Sequence, residues 1–191
     1  MPNWCQNRLE ITGPAEQIKR IAETGLKLTK LMPSPEEMED SISGTLRILD
    51  QDVNEALLLI KKNNIAKYGA EDWYDWNRNN WGTKWEIDAE LDVGPDYLTA
   101  NFDSAWSPPL PVISILKDKF PGITIHYDFL EGGGAFAGTY RYNPEDGEQL
   151  NEINFNSSDE LEDFGEKYNN LLADAEVESM REWEKEEQNE E

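Results

Sequence analysis

Trp85-Glu86-Ile87-Asp88-Ala89-Glu90-Leu91-Asp92-Val93 is followed by Gly94-Pro95-Asp96 and then by Tyr97-Leu98-Thr99-Ala100-Asn101-Phe102-Asp103. Strand side chains alternate between the two faces of a sheet. Trp85, Ile87, Ala89, Leu91 and Val93 therefore share one face, and Glu86, Asp88, Glu90 and Asp92 share the other. Gly-Pro-Asp is turn chemistry, and Leu98, Ala100 and Phe102 return to the apolar side. The stretch predicts a hairpin with one buried face and one acidic face.

Working outward, Trp4–Thr12 alternates in the same way, with Cys5, Asn7, Leu9 and Ile11 inward. Gly13-Pro14 opens a predicted helix with Ile18 and Ile21 inward, and Gly25 is placed to end it. Residues 26–39 read as an ordered loop. A second helix is predicted over about 52–68, its inner stripe being Val53, Ala56, Leu57, Ile60 and Ala66. After the hairpin, 109–120 reads as a helix, Ile123–Phe129 as a strand and Phe136–Tyr142 as another. Ser157-Ser158-Asp159-Glu160 matches a helix capping box, and Leu161, Phe164, Tyr168, Leu171 and Ala175 follow at helical steps. The order βαββαβ predicts an α+β, ferredoxin-like sandwich. It carries an extra helix in the first crossover, an extra strand and a C-terminal helical extension. The expected division is a domain over 1–142, a linker over 143–157 and an acidic helix and tail over 158–191.

Composition narrows the functions. The net charge is −23 over 191 residues. Residues 1–143 hold 22 Asp/Glu against 14 Lys/Arg, and 144–191 hold 18 against 3. Such a field repels nucleic acid, anionic membranes and free phosphates at long range, and it favours a basic partner protein or cations, or simply solubility. On the sheet face that RNA-recognition domains fill with aromatic and basic groups, this chain places mainly carboxylates, so direct nucleic-acid binding is not expected. No apolar run has the length of a membrane span, and Met1–Arg8 shows no signal-peptide h-region. The lone Cys5 and lone His126 leave no disulfide and no His-rich metal site. No catalytic residues, metal or cofactor are expected.

Five of the seven tryptophans fall between Trp73 and Trp106. Each brings a large ring and an N–H that needs a partner. One reading makes them a structural wedge. The other makes them a pocket, with Trp73, Trp76, Trp81 and Trp106 stacking on a planar group while Arg78, Asn80, Lys84 and Ser107 supply polar contacts. Ser104-Ala105-Trp106-Ser107-Pro108-Pro109 also leads into a helix N-terminus, where free N–H groups favour anions. Four carboxylates at alternate strand positions, Glu86, Asp88, Glu90 and Asp92, are candidates for docking a basic partner. They stand too far apart to chelate a cation unaided. Gly132-Gly133-Gly134 lacks phosphate-loop order and reads as a hairpin connection.

Met-Pro-Asn-Trp-Cys-x-Asn-x-Leu-x-Ile-x-Gly at 1–13, Leu-Met-Pro-x-Pro at 31–35, Asn-Trp-Gly-Thr-Lys-Trp at 80–85 and Ala-Trp-Ser-Pro-Pro at 105–109 resemble the YubB-type ferredoxin-like domain family. The glycine-rich turn before Phe136-Ala137-Gly138 fits as well. The resemblance spans residues 1–142 and leaves the C-terminal extension outside. It implies a ferredoxin-like fold, a bacteriophage or conjugative-plasmid setting and a bacterial cytoplasm, and it transfers no catalytic residues. The leading expectation is a non-enzymatic accessory protein that blocks a host defence protein through an acidic surface, with DNA mimicry by the C-terminal helix as one form. The alternatives are a binder that sequesters a nucleotide-like ligand on the tryptophan-rich segment, and an enzyme of unrecognised mechanism.

Overall fold

The computed structural model describes residues 3–43 and 51–190. In chain order the elements are β1 (Trp4–Thr12), α1 (Ala15–Thr24), the one-turn helices α2 (Leu28–Leu31) and α3 (Glu36–Glu39), α4 (Gln51–Tyr68), α5 (Trp73–Asn80), β2 (Glu90–Val93), β3 (Tyr97–Ala105), α6 (Leu110–Lys119), β4 (Thr124–Glu131), β5 (Phe136–Asn143), β6 (Gly147–Asn154), α7 (Ser158–Tyr168) and α8 (Ala173–Glu190). Among the described residues six strands form one antiparallel sheet in the order β2-β3-β1-β4-β5-β6. The first four strands, with α1 and α6, are the split βαβ pair of a ferredoxin-like α+β fold.

Strand alternation builds the main core. Leu9 and Ile11 of β1, Leu98 and Ala100 of β3, and Ile125, Tyr127 and Phe129 of β4 meet Ile18 and Ile21 of α1 and Val112 and Leu116 of α6. Each of these side chains larger than alanine gains about 1.5–3 kcal/mol on leaving water. Gly25 ends α1 in the left-handed conformation that its missing Cβ permits (φ 63°). The stretch 26–39 is more regular than a loop: it holds α2 and α3, and it buries Leu26, Leu28, Leu31 and Met38.

The opposite sheet face is half covered by the C-terminal chain. The expected single helix after Ser157 is two helices that fold back as a hairpin. Asn169 takes a left-handed conformation (φ 52°), its N–H donates to the Gly165 carbonyl, and Asn170 N–H donates to the same oxygen at 3.1 Å. The turn redirects the stripe: Leu161, Phe164, Ala173 and Val177 are buried with Leu130, Ala137 and Phe155, while Leu171 is 47% exposed. Buried Asn170 pins the hairpin to the sheet through the Gly138 carbonyl (2.9 Å). Arg141 reaches the α7 carbonyl end at Asn169 (3.0 Å) and pairs with Asp128 at 2.6 Å. Burial pushes the Asp128 carboxyl above its usual range against the pull of that guanidinium.

Three further expectations change. The segment read as a linker, 143–157, contains β6, which pairs with β5 from Phe136↔Asn154 to Asn143↔Gly147. Its side chains are mostly exposed and polar, so it carries no hydrophobic signal. The strand expected from Trp85 begins at Glu90; residues 85–89 run outside the sheet, although Ile87 is buried. Helix α4 forms where predicted, but its stripe is not packed. Val53 and Ile60 are 42% and 51% exposed, and among the described residues its buried side chain is Asn64. Leu57-Leu58-Leu59-Ile60 covers more than one turn and so defines no single face.

Candidate functional site

The tryptophan-rich run is a helix followed by a clamped loop. Asp72 caps α5, its carboxylate accepting from Tyr74 N–H (3.0 Å) and Asp75 N–H (3.3 Å). Trp76 and Trp81 meet edge to face at 5.7 Å and are nearly buried, and the Trp81 indole N–H donates to the Met32 carbonyl at 2.7 Å. Asn77 donates to the Lys84 carbonyl (2.9 Å), and Asn80 donates back to Trp76 O (2.9 Å). The loop is stitched to the β3–α6 connection by Thr83 Oγ1 to Ala105 O (2.9 Å) and Ser107 Oγ to Gly82 O (2.5 Å). Gly82 has φ 84°, and a Cβ there would lie 2.6 Å from Pro111 Cδ. A residue with a side chain does not fit.

This clamp shapes a cleft of about 360 Å³ lined by Tyr74, Arg78, Lys84, Ala105, Trp106 and Ser107. The Arg78 guanidinium carbon lies 5.5 Å from the Tyr74 ring centre and Lys84 Nζ 5.4 Å from it. Neither cation is ion-paired among the described residues. Trp106 adopts φ 71°, costly by about 1–3 kcal/mol for a residue other than glycine. Its backbone is held by N–H donation to Asn3 O (3.0 Å), and its ring is 48% exposed at the rim.

Four of the expected ligand residues thus converge: Arg78, Lys84, Trp106 and Ser107. Trp76 and Trp81 belong to the core, Asn80 bonds its own helix, and Trp73 packs against Tyr74 at 5.9 Å without lining the cleft. Tyr74 lines the cleft too, although one tyrosine among tryptophans carries no separate signal in the sequence. The α6 N-terminus is a poor anion site, because prolines 108, 109 and 111 remove donors.

The four acidic candidates divide as well. Glu86 caps α2, accepting from Leu28 N–H (2.7 Å), Thr29 N–H (3.0 Å) and Thr29 Oγ1 (2.7 Å). Asp88 pairs with Lys27 at 2.8 Å, which holds its carboxyl below the usual range. Glu90 and Asp92 remain exposed on the edge strand β2. The acidic side chains beyond Lys185 lie outside the described ones.

Two carboxylate arrangements were not legible beforehand. Glu131 is buried at the end of β4, and the Gly132-Gly133-Gly134 turn folds over it: Gly133 N–H donates to it at 2.9 Å, and a Cβ on Gly134 would sit 2.3 Å from its Oε2. Glu71, Asp72 and Asp75 bring oxygens within 4.8 Å of one another. Lys61 pairs with two members of that cluster, 3.0 Å from Glu71 and 3.8 Å from Asp72.

The fold and the cleft define a ferredoxin-like domain with a C-terminal helical hairpin and a basic, aromatic notch at one end of its sheet. The chain belongs to the family described as the ferredoxin-like domain in Api92-like protein, whose model matches residues 80–189. That match runs on through β6, α7 and α8, which the sequence resemblance had left outside. No curated protein matches the chain. A crystal structure of protein api92 from Yersinia pseudotuberculosis is similar at a TM-score of 0.47 and 13% identity, covering 82% of this chain and 99% of that one. Among the described residues no helix is long and apolar enough to cross a membrane.

Proposed function

We propose that the protein binds and sequesters a small anionic ligand bearing a planar ring, of nucleotide-like chemistry, in the cleft between α5 and the β3–α6 connection. The observation that carries this reading is the placement of two cations that have no carboxylate partner among the described residues, Arg78 and Lys84, against Tyr74 in a chain of net charge −23. Trp106 supplies an exposed ring for stacking, and Ser107 lines the cleft. The Ser107 hydroxyl is engaged with the Gly82 carbonyl and makes no hydrogen bond to a lining side chain among the described residues, so the reading is one of binding without a chemical step. A phage or plasmid setting, as the YubB-type resemblance implies, belongs to this proposal, with sequestration of a host signal as its use.

The test is tryptophan fluorescence and calorimetry with AMP and ADP, on the intact protein and on an Arg78→Glu/Lys84→Glu variant. Quenching by nucleotide with at least tenfold weaker binding in the variant supports the reading. Absence of heat and quenching up to millimolar nucleotide overturns it.

A second reading, inhibition of a basic host protein, is favoured by one observation: Glu90 and Asp92 are exposed on β2 beside the half of the sheet that α7 and α8 leave uncovered. It predicts a protein partner whose retention falls steeply with salt. Salt-insensitive retention, or retention unchanged in Glu90→Lys/Asp92→Lys, counts against it.

A further inference from the structure

Beside the cleft lies a second aromatic station that the nucleotide reading does not use. Trp4 and Trp85 stand 6.3 Å apart, centre to centre, tilted by 45°, and are 52% and 39% exposed. Trp4 opens β1 directly opposite Ala105, so it borders the same end of the sheet as Trp106. Lys84 joins the two stations. Its Nζ lies 4.4 Å from the Trp85 ring and 5.4 Å from the Tyr74 ring, and together these limits place the two ring centres at most about 10 Å apart. Exposed indoles are costly to leave in water, and neither Trp4 nor Trp85 is part of the buried core. The arrangement is therefore ring, cation, ring.

A dinucleotide has the complementary order: base, phosphate linkage, base. The cleft of about 360 Å³ holds one nucleotide-sized unit, so a second base belongs outside it, on the open Trp4–Trp85 surface. Resting on the cleft reading above, we infer that the ligand is a dinucleotide, two bases joined through phosphate. One base stacks at Tyr74 and Trp106, the phosphates meet Arg78 and Lys84, and the second base stacks at Trp85 and Trp4. A long single strand is disfavoured, because its many phosphates meet the negative field of the whole chain, whereas a dinucleotide places its few charges beside the two cations. Stacking of one further base on an indole corresponds to roughly tenfold in affinity or more.

The experiment is calorimetric titration of the full chain with AMP, ADP and the linear dinucleotide pApA, on the native protein and on Trp4→Ala and Trp85→Ala. ADP controls for charge without the second base. The inference expects pApA to bind at least tenfold tighter than ADP; Trp4→Ala lowers pApA affinity toward that of ADP while leaving ADP unchanged, and Trp85→Ala, whose ring Lys84 covers, lowers the ratio of pApA to ADP affinity. Both rings are partly exposed, and the melting temperature of each variant is measured in parallel so that loss of fold is separated from loss of binding; two variants guard against one failing to fold. Equal affinity for ADP and pApA overturns the inference and leaves the cleft reading standing. A pApA advantage that survives both substitutions also overturns it, since the second base would then lie elsewhere. Failure of all three nucleotides to bind overturns the cleft reading and this inference with it.

Discussion

Trp76 and Trp81 differ from Trp4, Trp85 and Trp106 in what surrounds the same side chain. The first pair is nearly buried, packed edge to face, with the Trp81 N–H on a backbone carbonyl. The other three are 39–52% exposed, at the end of the sheet where β1 begins and β3 ends. The contrast teaches that density of tryptophan along a chain is not itself a site. Part of the run builds a rigid floor, and the floor holds the remaining rings and two cations at a solvent-facing edge.

Trp81→Ala would break the contrast most severely. Removing the ring leaves a cavity and strands the Met32 carbonyl, and the expected loss is about 3–5 kcal/mol, read by denaturant unfolding. A loss below about 1 kcal/mol would mean that Trp81 is no floor. Gly82→Ala tests the clamp: with φ 84° and Pro111 in the way, the expected cost is about 1–3 kcal/mol. Nucleotide affinity should fall as well, since the loop carries Lys84.

Cys5 probes the buried side of β1 next to exposed Trp4. Burial raises its thiol from the ordinary 9.0 to about 12. A raised native value means that the folded state holds this proton more tightly than the unfolded chain. Its contribution is therefore complete below pH 9.0 and is lost as pH climbs toward about 12, at about 1.4 kcal/mol per pH unit. Denaturation of the parent and of Cys5→Ala at pH 9 and pH 10 should show the steeper decline in the parent; parallel slopes would refute it. Trp106→Gly is the smallest effect on stability and the sharpest on function. Glycine accepts φ 71° freely, so stability should be unchanged or higher by up to about 1 kcal/mol, while nucleotide quenching is lost. A large drop in melting temperature would place Trp106 with Trp81.

Much of the sheet was readable because burial of one face writes a period of two into the chain. β1 begins and ends where its alternation does, at Trp4 and Thr12. The failures share a cause. β6 is held by main-chain bonds to β5 and exposes its side chains, so no pattern marks it. α4 has more apolar residues than one face can use. The α7–α8 turn rests on one left-handed asparagine, which helical spacing passes over. At the candidate site, Arg78, Lys84, Trp106 and Ser107 were nameable from residue type, but their company was not. Asn80 and Trp81 sit within the same run and face elsewhere.

Residue order by itself determined the alternating strands, the capped helices, the ferredoxin-like sequence of elements and the acidic balance, because these follow from local periodicity and from counting charges. Tertiary structure alone decided which indoles became core and which stayed at the rim, that Glu86 caps a helix while Glu90 and Asp92 stay free in water, and that the C-terminal helices cover half of a sheet face. Those outcomes depend on contacts between residues far apart in the chain, such as the Trp81 indole with the Met32 carbonyl and the Glu86 carboxylate with Leu28 N–H, which no local pattern encodes.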